Sequence, residues 1–429
     1  MKTNTEGSTS PVFEWIYICF QACKQGFRGG CRPIVGLDGC HFKANHKGQI
    51  LSAVGIDANN RMFPIAFSVV ESECKDSWLW FLDHLRTDLG IVSGNQVTWI
   101  SDKQKGLESA LVAQFTTPDH RHCLRHLYNN FKSQHRGVYL KQLMWNAASS
   151  TTEYRYKQWM EQIKNANKQA FEWFGDKNPH NWSRAYFRTW PICDILLNNL
   201  CEAFNSAIFM ARDKHIVTLL EMIRRYIATR IEAKKLEGTK WKHRVGFRIW
   251  KLLEKTKQLA VNHDVIHLGD KKFEVNTRSN EQFAVDLNTW YCGCRKWYVN
   301  AWYSKAAFDK TYEQSIGPVN GPNLWEKTGL DPVQPPAEKK QPGRPKKLRN
   351  VEPDEVRDKE TGVVRLKKKG MRMSCTKCKG TDHNRRCCPK VDEEVRTNED
   401  EAPQPTQPTQ LSQENDGPRQ PPSKKQVVY

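Results

Sequence analysis

Two aspartates occupy positions in this sequence where a carboxylate could take part in metal chemistry. Asp38 lies in the apolar segment 34–42, and Asp102 follows the apolar segment 97–100 after one serine. Two carboxylates that converge at neighbouring strand ends repel each other unless cations lie between them, and ligation by oxygen alone suits Mg²⁺ or Mn²⁺. Two such ions, about 3.5–4 Å apart, can activate water and stabilise the leaving oxygen of a phosphodiester. Taken singly, either aspartate could simply end a strand, because Asp is common in turns.

Such a site needs a third carboxylate, and Glu202 is the best candidate. On a helix with about 100° per residue, Leu200, Phe204 and Ile208 share an apolar face, and Glu202 lies opposite, among amide and hydroxyl side chains. This position suits a residue that faces metal and substrate. A solvated helix face explains the same pattern.

The strongest local signal is a set of zinc ligands near the end of the sequence, formed by Cys375, Cys378, His383 and Cys388. Three thiolates and one imidazole at this spacing close a tetrahedral Zn²⁺ site, which is therefore structural. The spacing matches the CCHC zinc knuckle of proteins that bind single-stranded nucleic acid. Basic residues that could contact phosphate lie within it: Lys377, Lys379, Arg385 and Arg386. No aromatic side chain lies between the first and last ligand, so base stacking is not expected.

A basic segment over residues 339–347 resembles an AT-hook. Its Gly-Arg-Pro core is narrow enough for Arg344 to enter the minor groove of A·T-rich DNA, with Lys346 and Lys347 beside the phosphates. The same residues could act as a nuclear localisation signal, and the two uses are compatible. A solvated basic linker is the alternative.

The elements that must position the two aspartates follow from the hydrophobic pattern. It predicts three strands, a helix, a fourth strand and a second helix, over residues 33–42, 49–57, 62–70, 77–89, 96–100 and 107–115. A short Asn59-Asn60 turn makes the first three strands an antiparallel meander. This order is that of the ribonuclease H type of fold, in which an acidic residue on the first strand lies beside one at the end of the fourth.

Composition and charge restrict the class of protein. The chain has 429 residues, enough for two or three domains, and a net charge of +20 that favours nucleic acid as a partner. No apolar run is long enough to span a membrane, and without a secretory signal the 14 cysteines are expected to be thiols or metal ligands. Residues 338–390 carry 18 Lys and Arg against 7 Asp and Glu, and roughly the last 40 residues are of low complexity.

Further elements are predicted between these regions. Helical patterns cover residues 153–174, 198–212, 216–235 and 247–259, and strand-like patterns cover residues 272–275 and 282–287. The chain from about residue 153 to residue 260 is therefore expected to be mainly helical.

Several motifs, each weak alone, together resemble the transposase of plant Mutator-like elements over residues 12–297. They are GLDG (36–39), VGIDANN (54–60), CKDSW (74–78), SD (101–102), HCLRH (122–126) and NLCEAFN (199–205). The resemblance implies a DDE-type recombinase that uses Mg²⁺ or Mn²⁺, with water and then a 3′-hydroxyl as nucleophiles on DNA. Asp38 and Asp102 match the two aspartates of the family, and Glu202 matches the glutamate, which follows a helical insertion.

Cys123 and His126 resemble the C-x-x-H motif that this family carries between the second aspartate and the glutamate. At i, i+3 on a helix both side chains would face one way, and they could share a metal or support the site. His120 and His122 lie near enough in sequence to join them. A buried cysteine beside a hydrogen-bonded histidine is the alternative.

Cys292 and Cys294 resemble the opening of a SWIM zinc finger, whose pattern is C-x-C followed by C-x-H. The next cysteine and histidine are Cys375 and His383, which the knuckle already uses. Two thiolates cannot close a structural zinc site. The finger is therefore predicted to be truncated and to bind no zinc.

Together these features predict an α/β, ribonuclease H-like DDE core with an all-helical insertion, a partial SWIM β segment, and a largely disordered basic tail with a small CCHC knuckle. The predicted boundaries are a helical segment (1–30), the first part of the core (31–135), the insertion (136–195), helices with the third carboxylate (196–260), the truncated SWIM finger (261–300), a basic linker (317–370), the knuckle (371–390) and the tail (391–429).

The expected function is metal-dependent cleavage and transfer of DNA strands in the nucleus. The expected partners are transposon ends, A·T-rich duplex, single-stranded nucleic acid through the knuckle, and a second copy of the chain. The alternative is a catalytically inactive remnant or a domesticated DNA-binding regulator. An RNA-binding protein is a weaker option, because an AT-hook reads duplex DNA.

Overall fold

The computed structural model describes residues 1–4, 10–43, 48–278, 281–294, 300–327, 329–330 and 333–334, and the backbone of residues 356–357 and 364–365. The side chains of residues 105 and 322 lie outside this description. The chain divides into two units, residues 1–340 and 341–429, and each is described by itself.

A mixed seven-stranded sheet forms the centre of the described part of the first unit. Its strands are β1 (Lys2–Asn4), β2 (Val12–Ile18), β3 (Ile34–His41), β4 (Gln49–Ile56), β5 (Met62–Val70), β6 (Thr98–Ser101) and β7 (Asp119–His122). They lie side by side in the order β1-β2-β5-β4-β3-β6-β7. β3, β4 and β5 form the predicted antiparallel meander. β6 runs parallel to β3, and β7 runs parallel to β6. A helix precedes each of these two strands, as parallel pairing requires a crossover connection.

Eleven α-helices occur within the described residues. They are α1 (Gln21–Gly30), α2 (Lys75–Leu89), α3 (Lys105–Gln114), α4 (Leu124–Gln134), α5 (Val138–Ser149), α6 (Glu153–Ala166), α7 (Lys168–Glu172), α8 (Asn199–Ala207), α9 (Ile216–Thr239), α10 (Phe247–Ala260) and α11 (Lys305–Thr311). Short 3₁₀ helices cover Pro179–Asn181, Ala301–Tyr303 and Pro322–Leu324. No helix among these residues is long and apolar enough to cross a membrane.

The central strands are buried on both faces, which explains their nearly continuous apolar sequences. Every residue of β4 and β5 is buried. Trp78, Phe81 and Leu85, spaced three and four residues apart on α2, are buried in the same core. α8 packs on the meander, so the helix that carries Glu202 lies against the strand that carries Asp38.

A second hydrophobic core lies in the helical region between β7 and α8. Its buried members come from α4 to α7 and the loop that follows, and they include Phe131, Met144, Ile163 and Trp182. The single helix predicted over residues 153–174 is divided in two. Asn167 ends α6 in an extended conformation, and its side chain accepts a hydrogen bond from the backbone N–H of Ala170 to begin α7.

The predicted helical segment within the first 30 residues is α1, but two strands that the sequence did not predict precede it. β2 pairs with the edge of β5 through Ile16 and Val69. Its sequence, VFEWIYI, is rich in β-branched and aromatic residues, which fit a half-buried strand better than a helix.

A separate four-stranded antiparallel sheet follows α10. Its strands are β8 (His263–His267), β9 (Lys272–Thr277), β10 (Gln282–Asp286) and β11 (Tyr291–Cys292), in the order β11-β10-β9-β8. The two strands that the sequence predicts here are its two central strands. The Sγ atoms of Cys292 and Cys294 lie 2.8 Å apart. Residues 295–299 lie outside the described part, and the absence of zinc at this pair stays a prediction.

After the small sheet the chain returns to the first core, which the sequence analysis did not predict. Phe308 and Tyr312 are almost fully buried. A Cβ atom on Gly30 would lie 2.0 Å from the carbonyl oxygen of Ala307, and one on Gly26 would lie 2.2 Å from that of Thr311. α1 and α11 therefore pack backbone to backbone, and the i, i+4 glycines of α1 are the sequence signal for this contact.

In the second unit, the described backbone is an antiparallel pair of β12 (Val356–Arg357) and β13 (Val364–Arg365). The AT-hook-like segment 339–347 lies outside the described residues. So do the four predicted zinc ligands of the knuckle and the basic residues among them. Both motifs stay predictions.

Candidate active site

The parallel pairing of β3 and β6 places Asp38 and Asp102 at the same end of two adjacent strands. Gly36 of β3 lies opposite Ile100 of β6. Each aspartate follows two residues later, and side chains two residues apart share one face of a strand. Both positions are half-buried. The strand order thus makes the two carboxylates neighbours.

Burial and mutual repulsion dominate the electrostatics of this pair. Burial, followed by the charges of Asp102 and Glu73, raises the pKa of Asp38 to about 7. Burial also raises the pKa of Asp102, and the neighbouring His126 opposes that rise. Carboxylates this close cannot all ionise without a compensating charge. The cluster therefore offers hard oxygen ligands and uncompensated negative charge to a divalent cation.

Glu73 is a third carboxylate beside the pair, and the sequence analysis did not single it out. It lies in the loop between β5 and α2, where Trp78 Nε1 donates a hydrogen bond to its Oε1 over 3.2 Å. A Cβ atom on Gly39 would lie 2.5 Å from Glu73 Oε2, so the glycine after Asp38 makes room for this carboxylate. Burial first, and then Asp102, raises the pKa of Glu73. Its position directly before the CKDSW motif was the available signal.

α8 binds the strand of Asp38 through amide side chains. Asn205 Nδ2 donates a hydrogen bond to Asp38 Oδ2 over 2.8 Å. The Oδ1 atom of Asn205 is buried and has no hydrogen-bond partner among the described residues. Asn198 Nδ2 donates to the carbonyl oxygen of Leu37 over 2.9 Å. A Cβ atom on Gly36 would lie 2.5 Å from Asn198 Oδ1, so this close approach of the helix requires glycine in the strand.

Glu202 lies one turn before Asn205 on α8, but its carboxylate binds a different partner. Arg125 Nη1 lies 2.6 Å from Glu202 Oε2, and the Glu202 side chain is 37% exposed. Among the described residues, only Glu108, His120 and His122 place three metal-binding atoms within 4.8 Å of one another. The three predicted catalytic carboxylates therefore do not form a compact ligand set among the described residues.

Cys123 precedes the helix that carries His126, which corrects the prediction that both lie on it. As the N-cap of α4, Cys123 donates its backbone N–H to the Ser101 carbonyl oxygen over 2.7 Å. Its Sγ accepts a hydrogen bond from the backbone N–H of Asn198 over 3.3 Å. Burial raises the pKa of the Cys123 thiol, but His126 and that N–H outweigh it and leave the pKa lowered. Cys123 and then both aspartates raise the pKa of His126. A supporting role of the pair at the site stays a prediction.

His120 contacts Ser101 and His122 contacts Glu108, which corrects the expectation that these histidines join Cys123. Alternation along β7 puts both imidazoles on one face of the strand. His122 Nε2 lies 2.8 Å from Glu108 Oε1, and His120 Nε2 lies 2.8 Å from Ser101 Oγ. Glu108 lies in the first turn of α3, directly after β6.

In protein stripped of divalent cations, Asp38→Asn is expected to have a higher melting temperature than wild type. This difference is expected to grow as the pH increases from about 4 to about 8. The pKa of Asp38 is raised from an ordinary 3.8 to about 7 in the folded protein. A group whose pKa is raised by folding stabilises the folded protein at a pH below the ordinary pKa of that group. This stabilisation is lost as the pH rises through the pKa in the folded state. Asparagine cannot ionise, so the variant escapes this loss. Thermal unfolding in EDTA across this range is the measurement, and a constant difference between the two proteins would contradict the assignment.

A mixed α/β core with two carboxylates at adjacent strand ends is an arrangement suited to metal-dependent phosphodiester chemistry. Residues 34–130 match the family model of the MULE transposase domain. Over this segment the chain is similar to the transposase domain of Mutator-like elements, and the resemblance is confirmed there. The match contains both aspartates, Glu73 and the Cys123–His126 pair, whereas Glu202 lies beyond it. A search of curated proteins finds no match to the chain.

Proposed function

We propose that this chain cleaves and joins DNA strands as a DDE-type transposase with a ribonuclease H-like core. The order β5-β4-β3-β6-β7, with an antiparallel meander followed by parallel strands, supports such a core. The observation that carries the proposal is the pairing of Asp38 and Asp102 at adjacent strand ends within the matched segment.

The residues at this site fit Mg²⁺ or Mn²⁺. Asp38 and Asp102 supply hard oxygen donors. Burial first, and then nearby carboxylates, raises the pKa values of both, and a bound cation would offset this cost of ionisation. The buried amide oxygen of Asn205, beside Asp38, is a further unpaired oxygen. When bound, the cations would activate water and stabilise the leaving oxygen of the phosphodiester.

Glu202 is proposed as the third carboxylate of the site. It lies on α8 three residues before Asn205, and residues at this spacing lie on one face of a helix. Arg125 neutralises its charge in this arrangement. When DNA binds, Arg125 would leave Glu202 and pair with a phosphate, because guanidinium groups bind both carboxylates and phosphates. The Glu202 carboxylate would then be free.

We assign the recognition of DNA to the net positive charge of the chain and to the basic region of residues 317–390, which contains the linker and the knuckle. The net charge of +20 favours duplex binding through phosphate contacts. In the basic region, Arg344 and its neighbouring lysines would contact A·T-rich duplex in the nucleus, and the Zn²⁺ knuckle would contact single strands. A second copy of the chain is proposed as a partner, because strand transfer joins two DNA ends.

Nicking of supercoiled plasmid tests the proposed activity. Full-length wild type is compared with the double variant Asp38→Asn/Asp102→Asn, with Mn²⁺ or with EDTA. We expect nicking by wild type with Mn²⁺ and none by the variant or in EDTA. DNA binding is measured in parallel, and the double variant is expected to bind at least as well, because it removes negative charge near the phosphates.

Two other outcomes have distinct meanings. Wild type that binds DNA but never nicks it would support an idle DNA-binding remnant, for which the Arg125–Glu202 ion pair is the favouring observation. Nicking that survives in the double variant would show that these two aspartates are not the catalytic carboxylates.

A further inference from the structure

Glu108, His120 and His122 form a compact cluster of metal-binding groups next to the proposed active site. One ligand atom from each lies within 4.8 Å of the other two. The His122 side chain is 12% exposed and that of Glu108 is 28% exposed, so the cluster is recessed but reachable from solvent. Neither imidazole has a role in the proposed strand cleavage.

Two different elements, β7 and α3, supply this cluster. β7 presents His120 and His122 from one face, opposite Trp99 and Ser101 of β6. Glu108 comes from the first turn of α3. The cluster therefore joins a strand and a helix at the end of β6, directly beside Asp102.

The hydrogen bond to Ser101 determines which nitrogen of His120 is available. Ser101 Oγ donates its hydrogen to the carbonyl oxygen of Asp102 over 2.7 Å, so it accepts from His120 Nε2. The hydrogen of the neutral imidazole is then on Nε2, and the lone pair is on Nδ1. Histidines that bind metals usually hold their second nitrogen by such a hydrogen bond.

We propose that Glu108, His120 and His122 bind one Zn²⁺ ion, with the fourth position open to water or a phosphate oxygen. Two imidazoles and one carboxylate are a ligand set that zinc takes in proteins, whereas the oxygen donors of Asp38 and Asp102 suit Mg²⁺ or Mn²⁺. Zinc bonds of about 2.0–2.2 Å in a tetrahedron separate two ligand atoms by roughly 3.3 Å. The contact of 2.8 Å between His122 Nε2 and Glu108 Oε1 must therefore widen by about 0.5 Å.

Zinc at this place would fasten α3 and β7 to the end of β6. Ser101 connects His120 to the backbone of Asp102. The ion would thus be a positioning element for Asp102. Its binding does not depend on whether the chain cleaves DNA, so the two proposals fail separately.

Zinc binding to the full-length chain tests the site directly. Cys375→Ser and Cys378→Ser are introduced first, so that the predicted knuckle does not contribute zinc. Zn²⁺ is then titrated into chelator-treated protein with excess Mg²⁺, and bound metal is counted by mass spectrometry. In this background we expect one Zn²⁺ per chain, with affinity reduced more than about 100-fold by His122→Gln and by Glu108→Gln.

His135→Gln is the matched control, because this imidazole packs on Phe131 away from the cluster and should leave zinc binding unchanged. Circular dichroism establishes that each variant is folded, and Glu108→Gln decides the test if His122→Gln does not fold. The absence of bound Zn²⁺ in the parent protein would overturn the proposal. Equal zinc affinity in the parent and in a folded cluster variant would overturn it too.

Discussion

Asp102→Asn is expected to slow Mn²⁺-dependent nicking by at least about 100-fold, equivalent to about 2.7 kcal/mol in the activation free energy. The substitution keeps the shape of the side chain and removes the charge that would hold a cation beside Asp38. Burial raises the pKa of Asp102, because water stabilises the charge of a buried carboxylate poorly. A bound cation would therefore stabilise this charge strongly. Initial nicking rates at saturating DNA, together with the DNA affinity of each protein, are the measurements.

Asp264→Asn is the matched control, because Asp264 is exposed on β8 of the separate small sheet. It should nick DNA at the wild-type rate. A wild-type rate for Asp102→Asn, with binding intact, would remove Asp102 from the catalytic set. Glu202→Gln is expected to match Asp102→Asn, whereas Glu73→Gln is expected to cost less, since Glu73 already accepts a hydrogen bond from Trp78.

Asp57→Ala is expected to lower the free energy of unfolding by about 3–5 kcal/mol, the range for breaking a buried charged network. Asp57 is fully buried at the turn between β4 and β5. Its Oδ1 accepts hydrogen bonds from the backbone N–H groups of Asn59 and Arg61, each over 2.8 Å. Its Oδ2 accepts one from the Tyr312 hydroxyl over 2.9 Å. Alanine would leave all three buried donors without an acceptor.

Urea unfolding followed by tryptophan fluorescence measures this loss. Tyr312→Phe removes one of the three hydrogen bonds and should cost about 1–2 kcal/mol. Asp264→Ala, at an exposed position, should stay within about 0.5 kcal/mol of wild type. A loss below 1 kcal/mol in Asp57→Ala would mean that the turn holds its conformation without the carboxylate.

Several motifs that carried the family resemblance have structural explanations. In GLDG, the two glycines around Asp38 make room for Asn198 on one side and Glu73 on the other. In VGIDANN, Asp57 organises the turn, and Asn60 has a φ of 56°, in the left-handed region that Asn tolerates better than most residues. The sequence alone could not separate the roles of Asp38 and Asp57. Burial and hydrogen-bond partners show that Asp57 organises a turn, whereas Asp38 lies beside other carboxylates.

The sequence by itself determined the meander and its order with the next helix, strand and helix, and that order, typical of the ribonuclease H type of fold, predicted the approach of Asp38 to Asp102. These features follow from local hydrophobic periodicity and from short connections, which leave few ways to pair the strands. The sequence did not predict β7. The tertiary structure alone decided that Glu73 joins the pair, that Arg125 binds Glu202, and that α11 returns to the core. Each of these contacts joins segments far apart in the chain, and such partners are selected by packing of the whole core, which no local pattern encodes.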